Sequence, residues 1–317
     1  MSGKESSIGL VVRGSRNLFS VRANGEETEC RIKGKVLKGV EGYYNPLAPG
    51  DVVEIDNGLI IGLEKRRNCF ARFNQKGQAP QLLASNVDLV VCVSSVASPP
   101  FRPRFIDRAL VQAEIAGIPA AIVCNKQDLA GEDLDDLDME ERLSDFQRIG
   151  YPVFRLSAKT GTGMDEFKRF IAGKFIVLVG QSGTGKSSLI NALIPELQIK
   201  TGAINEKYSR GKHTTTQGVL LDSVDGGEAD SIRVIDTPGI RRFAIAGLEE
   251  GELIFYMREF APLAGKCSFG LSCSHRTEIG CKIMEAVHAG VIHEDRYESF
   301  LRIQDEISGN NNYPDTD

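Results

Sequence analysis

Long apolar runs are missing from this sequence. No stretch approaches the ~20 residues of a membrane-spanning helix, and no basic amphipathic helix marks a membrane-surface protein, so no membrane partner is expected. The opening residues Met1-Ser-Gly-Lys-Glu-Ser-Ser hold no apolar signal core and no Arg-rich transit character. A cytoplasmic protein is expected. Paired cysteines are missing too. The chain has 7 cysteines, an odd number, which in this setting argues for metal rather than a disulfide framework. Cys30, Cys69, Cys92 and Cys124 are scattered through apolar runs and read as small buried hydrophobes. Overall positive charge is absent, the net charge being −5. Residues 1–80 nevertheless carry 13 Lys and Arg against 9 Asp and Glu, while residues 240–317 carry 8 against 13. A basic beginning on an acidic chain suggests a polyanion partner at that end.

The 317 residues suggest two or three domains. Residues 8–72 read as five short strands split by Gly, Asn and Pro turns. That pattern suits a small barrel such as the OB-fold, a common oligonucleotide platform. Arg31, Lys33, Lys35, Lys38 and Lys65-Arg66-Arg67 are candidates to track a phosphate backbone, and Tyr43, Tyr44 and Phe70 to stack on bases or pack the barrel. Residues 73–86 read as a linker. Strands and helices then alternate to about residue 240, which predicts a parallel sheet covered on both faces.

Within that region Gly180-Gln181-Ser182-Gly183-Thr184-Gly185-Lys186-Ser187 fits the phosphate-loop pattern GxxxxGK[ST] at every fixed position. An apolar strand precedes it, and a helix beginning near Ser188 follows, stopped by Pro195. The backbone N–H groups and the helix N-terminus suit a polyphosphate, with Lys186 on the β- and γ-phosphates and Ser187 on Mg²⁺. Asn125-Lys126-Gln127-Asp128 closes an earlier strand and resembles the NKxD motif by which GTP-binding proteins read guanine. Asp128 can accept from N1–H and the exocyclic amine, a donor pair that adenine lacks. Asn125 can bond N7, and the Lys126 stem can lie on the ring. Ser157-Ala158-Lys159 resembles the SAK loop that contacts guanine O6. In the polar loop 210–216, Thr215, or else Thr214, is the candidate to complete Mg²⁺ coordination. Asp236-Thr237-Pro238-Gly239 resembles DxxG, with Asp236 acting on Mg²⁺ through water and the Gly239 N–H on the γ-phosphate.

Cys267-x5-Cys273-x-His275-x5-Cys281 offers three thiolates and an imidazole, a complete tetrahedral set for zinc. Its spacing is looser than the usual C-x₂₋₄-C, so the residues alone leave the zinc reading open. His288 and His293 read as solvated helix residues. Lys282–His288 and Glu294–Ile307 read as amphipathic helices.

With NKxD and SAK ahead of the phosphate loop, the chain resembles the RsgA (YjeQ) family of circularly permuted GTPases over about residues 8–305. The resemblance implies a multidomain fold: an OB-fold β-barrel for RNA binding (1–75), a circularly permuted α/β P-loop GTPase domain (76–239), a mainly α zinc domain (240–307) and a disordered tail (308–317). It implies GTP hydrolysis to GDP, with Mg²⁺ and Zn²⁺ as cofactors, stimulated by the small ribosomal subunit, and a role late in that subunit's maturation with binding to its rRNA. No DNA partner is expected, and a monomer is. The family usually has one residue fewer between its first two cysteines, and often Pro where Ile279 stands here. Ras-like enzymes place a water-orienting Gln directly after DxxG, where this chain has Ile240. Slow intrinsic turnover is therefore expected, with His213 the candidate in cis to relay a proton, an idle loop histidine being the alternative. GTP is expected to set the pose of the zinc domain through residues 240–266. The rival reading is an RNA-binding module that uses GTP only as a structural ligand or acts on a non-ribosomal RNA. Lys186, Ser187, Thr215 and Asp236 argue against it.

Overall fold

Among the described residues three main hydrophobic cores follow one another along the chain, the middle one divided by its sheet into two clusters. A computed structural model describes residues 6–15, 17–34, 40–131, 134–199, 218–223 and 231–309. The first five strands are β1 (Ser7–Ser15), β2 (Leu18–Ala23), β3 (Glu26–Ile32), β4 (Val52–Asp56) and β5 (Leu59–Leu63). They pair in the order β1-β2-β3-β5-β4, and β4 pairs back onto β1, which closes a barrel. Alternate residues point inward, as strand geometry requires, so Val11, Phe19, Val21, Cys30, Val53 and Ile60 fill it.

The stretch read as a linker is instead a hairpin of β6 (Cys69–Asn74) and β7 (Ala79–Ser85). Phe70 on β6 is fully buried against Phe243, so it is not a base-stacking residue. Arg66 is largely buried and held by Asp51, so it serves the fold, whereas Arg67 pairs with Asp88 and stays 60% exposed. Tyr43 is half-buried beside Cys69 and Arg66, whereas Tyr44 is exposed. Lys35 and Lys38 lie outside the described residues.

The second core forms around β8 (Leu89–Ser95), α1 (Pro103–Ile115), β9 (Ala120–Asn125), α2 (Leu134–Arg148), β10 (Val153–Arg155), α3 (Met164–Ile171), β11 (Phe175–Gly180), α4 (Lys186–Leu193), β12 (Val219–Asp222) and β13 (Arg233–Asp236). The strand order is β10-β9-β8-β11-β13-β12, parallel except for β12. β8, β9 and β11 are buried at every position and mostly apolar, because both faces are covered. Val90, Cys92, Ile122 and Val177 face α1 and α2, while Val91, Val123, Ile176 and Leu178 face α3 and α4. β12 also bridges to β1 through Arg13 and Val219, so barrel and parallel sheet form one 11-stranded sheet. Arg22 on β2 pairs with Asp222 on β12.

The third core holds short 3₁₀ turns, α5 (Lys282–His288) and α6 (Glu294–Ile307). Met257, Phe260, Ile283, Phe300 and Ile303 pack together and onto Val111 of α1. His293 is not a free surface residue. It caps α6, its Nδ1 accepting from the Asp295 N–H. Among the described residues no helix is long and apolar enough to cross a membrane.

Candidate functional site

Parallel pairing brings the C-terminal ends of β9, β8, β11 and β13 to one edge of the sheet, where α/β proteins bind ligands. In register, Ser95 lies beside Asn125, Val93 beside Gly180, and Leu178 beside Asp236. Strand order, not chain order, decides which loops meet.

The phosphate loop runs from Gly180 into α4. Gly183 and Gly185 have φ of +87° and +89°, backbone that favours glycine. A Cβ on Gly185 would fall 2.4 Å from Asn125 Nδ2. That closeness has a function: Asn125 Nδ2 donates to the Thr184 carbonyl (3.1 Å), tying NKxD to the phosphate loop. Asn125 Oδ1 accepts from the Ala158 N–H (3.0 Å) and the Lys126 N–H (2.8 Å). Ser157 Oγ donates to Asp128 Oδ1 (2.6 Å), and Lys159 Nζ stands 3.5 Å from Asp128 Oδ2. The Ser157 bond, with help from Lys159, holds the Asp128 carboxyl below its usual range. The residues read as NKxD, SAK and phosphate loop thus form one connected cluster.

DxxG joins it from the other side. A Cβ on Gly239 would fall 2.8 Å from Ser182 Cα, so this glycine lies against the phosphate loop. The Ile240 N–H donates to the Gly180 carbonyl (3.2 Å), and Gln181 Nε2 donates to the Arg241 carbonyl (3.3 Å). Ile240 itself is buried in the core. Asp236 is buried and its Oδ1 has no hydrogen-bond partner among the described residues. Burial pushes its carboxyl up to about 6 even though Lys186 pulls the other way. Burial also lowers the Lys186 amine, whose Nζ donates to the Gly180 and Gln181 carbonyls (2.8 and 2.9 Å). A buried, unpartnered carboxylate oxygen beside a buried ammonium fits the Mg²⁺ and polyphosphate for which the loop is shaped. Ser187 and Ser188 sit half-buried in the first turn of α4. His213, Thr214 and Thr215 lie outside the described residues.

One neighbour had no signal in the sequence. The loop after β8 bends over the phosphate loop. Pro99 Cδ would be 3.2 Å from a Cβ on Gly183, and Lys126 Nζ donates to the Ser98 carbonyl. No motif marks Ser98 or Pro99, and only the sheet order places them here.

The second constellation is Cys267, Cys273, His275 and Cys281. All four are buried, and their ligand atoms lie within 4.8 Å of one another. His275 Nδ1 is 3.6 Å from Cys267 Sγ and 3.4 Å from Cys281 Sγ. Three of the five residues between the first two cysteines form the 3₁₀ turn Gly270–Ser272, and the longer spacing does not keep Cys273 out of the cluster. Three thiols and an imidazole around one point suit a tetrahedral metal.

The third core is fastened to the second by buried charge. Asp107 on α1 and Arg296 on α6 are both essentially inaccessible and bond each other (2.8 Å). Asp107 also meets Arg142 and Ser299, and Arg296 meets Glu259. Nearer the nucleotide edge, Glu306 accepts two bonds from Arg108 (2.6 and 2.8 Å) and one from Arg242 (2.8 Å). Arg242 lies three residues beyond Gly239. The expected tether through residues 240–266 is therefore joined by a direct contact between α6 and the segment after DxxG.

A protein-family model described as RsgA GTPase matches residues 63–246. The chain belongs to the RsgA GTPase family. The small ribosomal subunit biogenesis GTPase RsgA 2 of Bacteroides thetaiotaomicron is 39% identical over 307 residues, covering 94% of this chain and 96% of the relative. The RsgA of Chlorobaculum parvum is 34% identical, covering 96% and 99%. Among solved structures, YjeQ from Thermotoga maritima matches with a TM-score of 0.71 and 32% identity over 96% of this chain and 99% of that one. YloQ, described as a circularly permuted GTPase, shares the fold with a TM-score of 0.65 and 23% identity, covering 99% of each chain. As an RsgA-family protein the chain is a GTP hydrolase with a permuted GTPase domain, working with a guanine nucleotide and Mg²⁺.

Proposed function

We propose that this protein hydrolyses GTP on the small ribosomal subunit, late in the subunit's maturation and in contact with its rRNA. The observation that carries the reading is the bond from Asn125 to the Thr184 carbonyl, which joins the base-reading and phosphate-binding residues in one cleft. Asp128, positioned by Ser157, selects guanine. The Ala158 N–H lies beside the base, and Asn125 and Lys126 brace it. Gly180 to Gly185 and Lys186 cradle the phosphates, with the Gly239 N–H on the γ-phosphate. Ser187, Thr215 and, through water, Asp236 would hold Mg²⁺, which neutralises charge developing on the phosphate oxygens.

Ile240, buried where Ras-like enzymes place a water-orienting Gln, supports slow unaided turnover. His213 relays the proton from the attacking water once the subunit is bound. Cys267, Cys273, His275 and Cys281 would hold a structural zinc that sets the loops of the third domain. The domains run 1–75, 76–239 and 240–307 followed by a tail, and the barrel takes the rRNA. The protein acts as a cytoplasmic monomer.

Phosphate release from GTP is measured alone, with small subunits and with large subunits. Stimulation by small subunits only is expected. Equal stimulation by both, or by neither, overturns the ribosomal reading. A His213→Ala variant that keeps full stimulated turnover removes that residue from the mechanism.

A further inference from the structure

The loop that carries His275 is folded around one side chain. Glu278 is half-buried, and both oxygens of its carboxylate are turned back onto its own loop. Oε1 accepts from the Ser274 N–H (2.7 Å) and from the Ser274 hydroxyl. Oε2 accepts from the N–H groups of Arg276 (2.9 Å) and Thr277 (3.1 Å). Ser274 and Arg276 are the two neighbours of His275. One carboxylate therefore clamps the backbone on both sides of a candidate metal ligand.

The clamp has something to hold. His275 has a φ of +62°, left-handed backbone that a residue other than glycine keeps only where its surroundings impose it. Two groups of α6 complete the setting. Tyr297 Oη donates to the His275 carbonyl (2.5 Å), and the Phe300 ring meets the imidazole edge-on, with centroids 5.8 Å apart. So fixed, the ring turns Nδ1 toward Cys267 Sγ (3.6 Å) and Cys281 Sγ (3.4 Å). The Glu278 carbonyl also accepts from the Cys281 N–H (3.2 Å), so the same short turn delivers the next ligand.

We propose that Glu278 is a positioning residue of the metal centre, folding the 274–278 loop so that His275 Nδ1 faces the thiols. The inference rests on the metal reading of Cys267, Cys273, His275 and Cys281 given above. The charge of Glu278 is no help to such a site, because three thiolates already outweigh a divalent cation. Its contribution is acceptor geometry. Ligands held in place beforehand spare the metal the cost of ordering them.

The test uses the full chain and its Glu278→Gln variant. Zinc affinity is measured by competition with a chromogenic chelator, and cobalt(II)-substituted protein is read by its visible absorption. Glu278→Gln is expected to hold zinc 10–100-fold more weakly, as loss of an outer partner of a ligand does. Its cobalt spectrum is expected to depart from that of one imidazole and three thiolates. Glu285→Gln removes the same charge from α5, just after Cys281, where Glu285 pairs only with Lys282 among the described residues. It is expected to match the unaltered chain, and both variants to bind GDP as before. Unchanged zinc affinity and spectrum in Glu278→Gln overturn the proposal. Equal weakening in Glu285→Gln assigns the effect to charge and overturns it too. Should Glu278→Gln fail to fold, as lost GDP binding would report, Ser274→Ala decides. That variant removes only the hydroxyl donor, so a few-fold weakening is expected, and none overturns the proposal. In each of these cases the metal reading stands. An unaltered chain that binds neither zinc nor cobalt ends both together.

Discussion

In the proposed site Asp128 would discriminate between purines only with its carboxylate held still, and the bond from Ser157 restrains it. Asp128→Asn is expected to weaken GTP binding by about 10²-fold or more and leave ATP binding unchanged, because a polar match to guanine is lost. Competition of ATP against a fluorescent guanine nucleotide measures it. Gly185 is a sharper probe of backbone geometry. Gly185→Ala puts a methyl 2.4 Å from Asn125 Nδ2 at a φ of +89°. Nucleotide binding is expected to be lost, with stability falling by about 1–3 kcal/mol, as titration with GDP and urea unfolding would record. At this scale the sequence was most informative where spacing is local. GxxxxGKS, NKxD and DxxG are each set by a few adjacent residues, so they read directly. Phe70 and Arg66 did not. A lone aromatic or arginine gives no sign of whether it faces solvent, and here Phe243 and Asp51, both far along the chain from their partners or turned inward, decide the matter.

Among the elements, α1 and α6 have the most at stake. Asp107 and Arg296 are buried together, and Asp107 is the carboxylate shared by Arg296, Arg142 and Ser299. Asp107→Asn is expected to cost about 3–5 kcal/mol, the usual penalty for breaking a buried pair, in a denaturant titration. Glu306 adds a pH dependence. Burial alone would raise its carboxyl, but bonds from Arg108 and Arg242 bring it below the ordinary 4.5. Its stabilising contribution is therefore full above that value and is lost as pH falls through the lower, folded value. Between pH 7 and pH 3 the unfolding midpoint of Glu306→Gln is expected to fall less than that of the unaltered protein. The helices themselves were legible because apolar spacing and glycine stops mark them. Their charged contacts were not, since Asp107 and Arg108 look like any solvated pair on a helix. The β6–β7 hairpin was hidden for another reason. Pro80 and the polar turn 75–78 contradict a strand pattern, and the hairpin survives because it is only two strands wide.

At the scale of the molecule, the order of the domains could be read because each has its own periodicity: two in the barrel, alternating in the middle, helical at the end. Their attachment could not, because it depends on residues some 200 positions apart, such as Arg22 with Asp222 and Arg108 with Glu306. Chelation is expected to remove one zinc per chain by elemental analysis and to lower the unfolding temperature of the third domain, with GDP binding kept. Loss of GDP binding on chelation would mean that the cysteine cluster supports the nucleotide cleft as well. The bridge between Arg13 and Val219 bears on how such a protein can be rearranged. It sets β1 of the barrel against the free flank of β12 at Val219. Excising the barrel as a cassette would leave a sticky ribbon that recruits neighbouring chains, so the truncated enzyme should clump before its chemistry could be assayed.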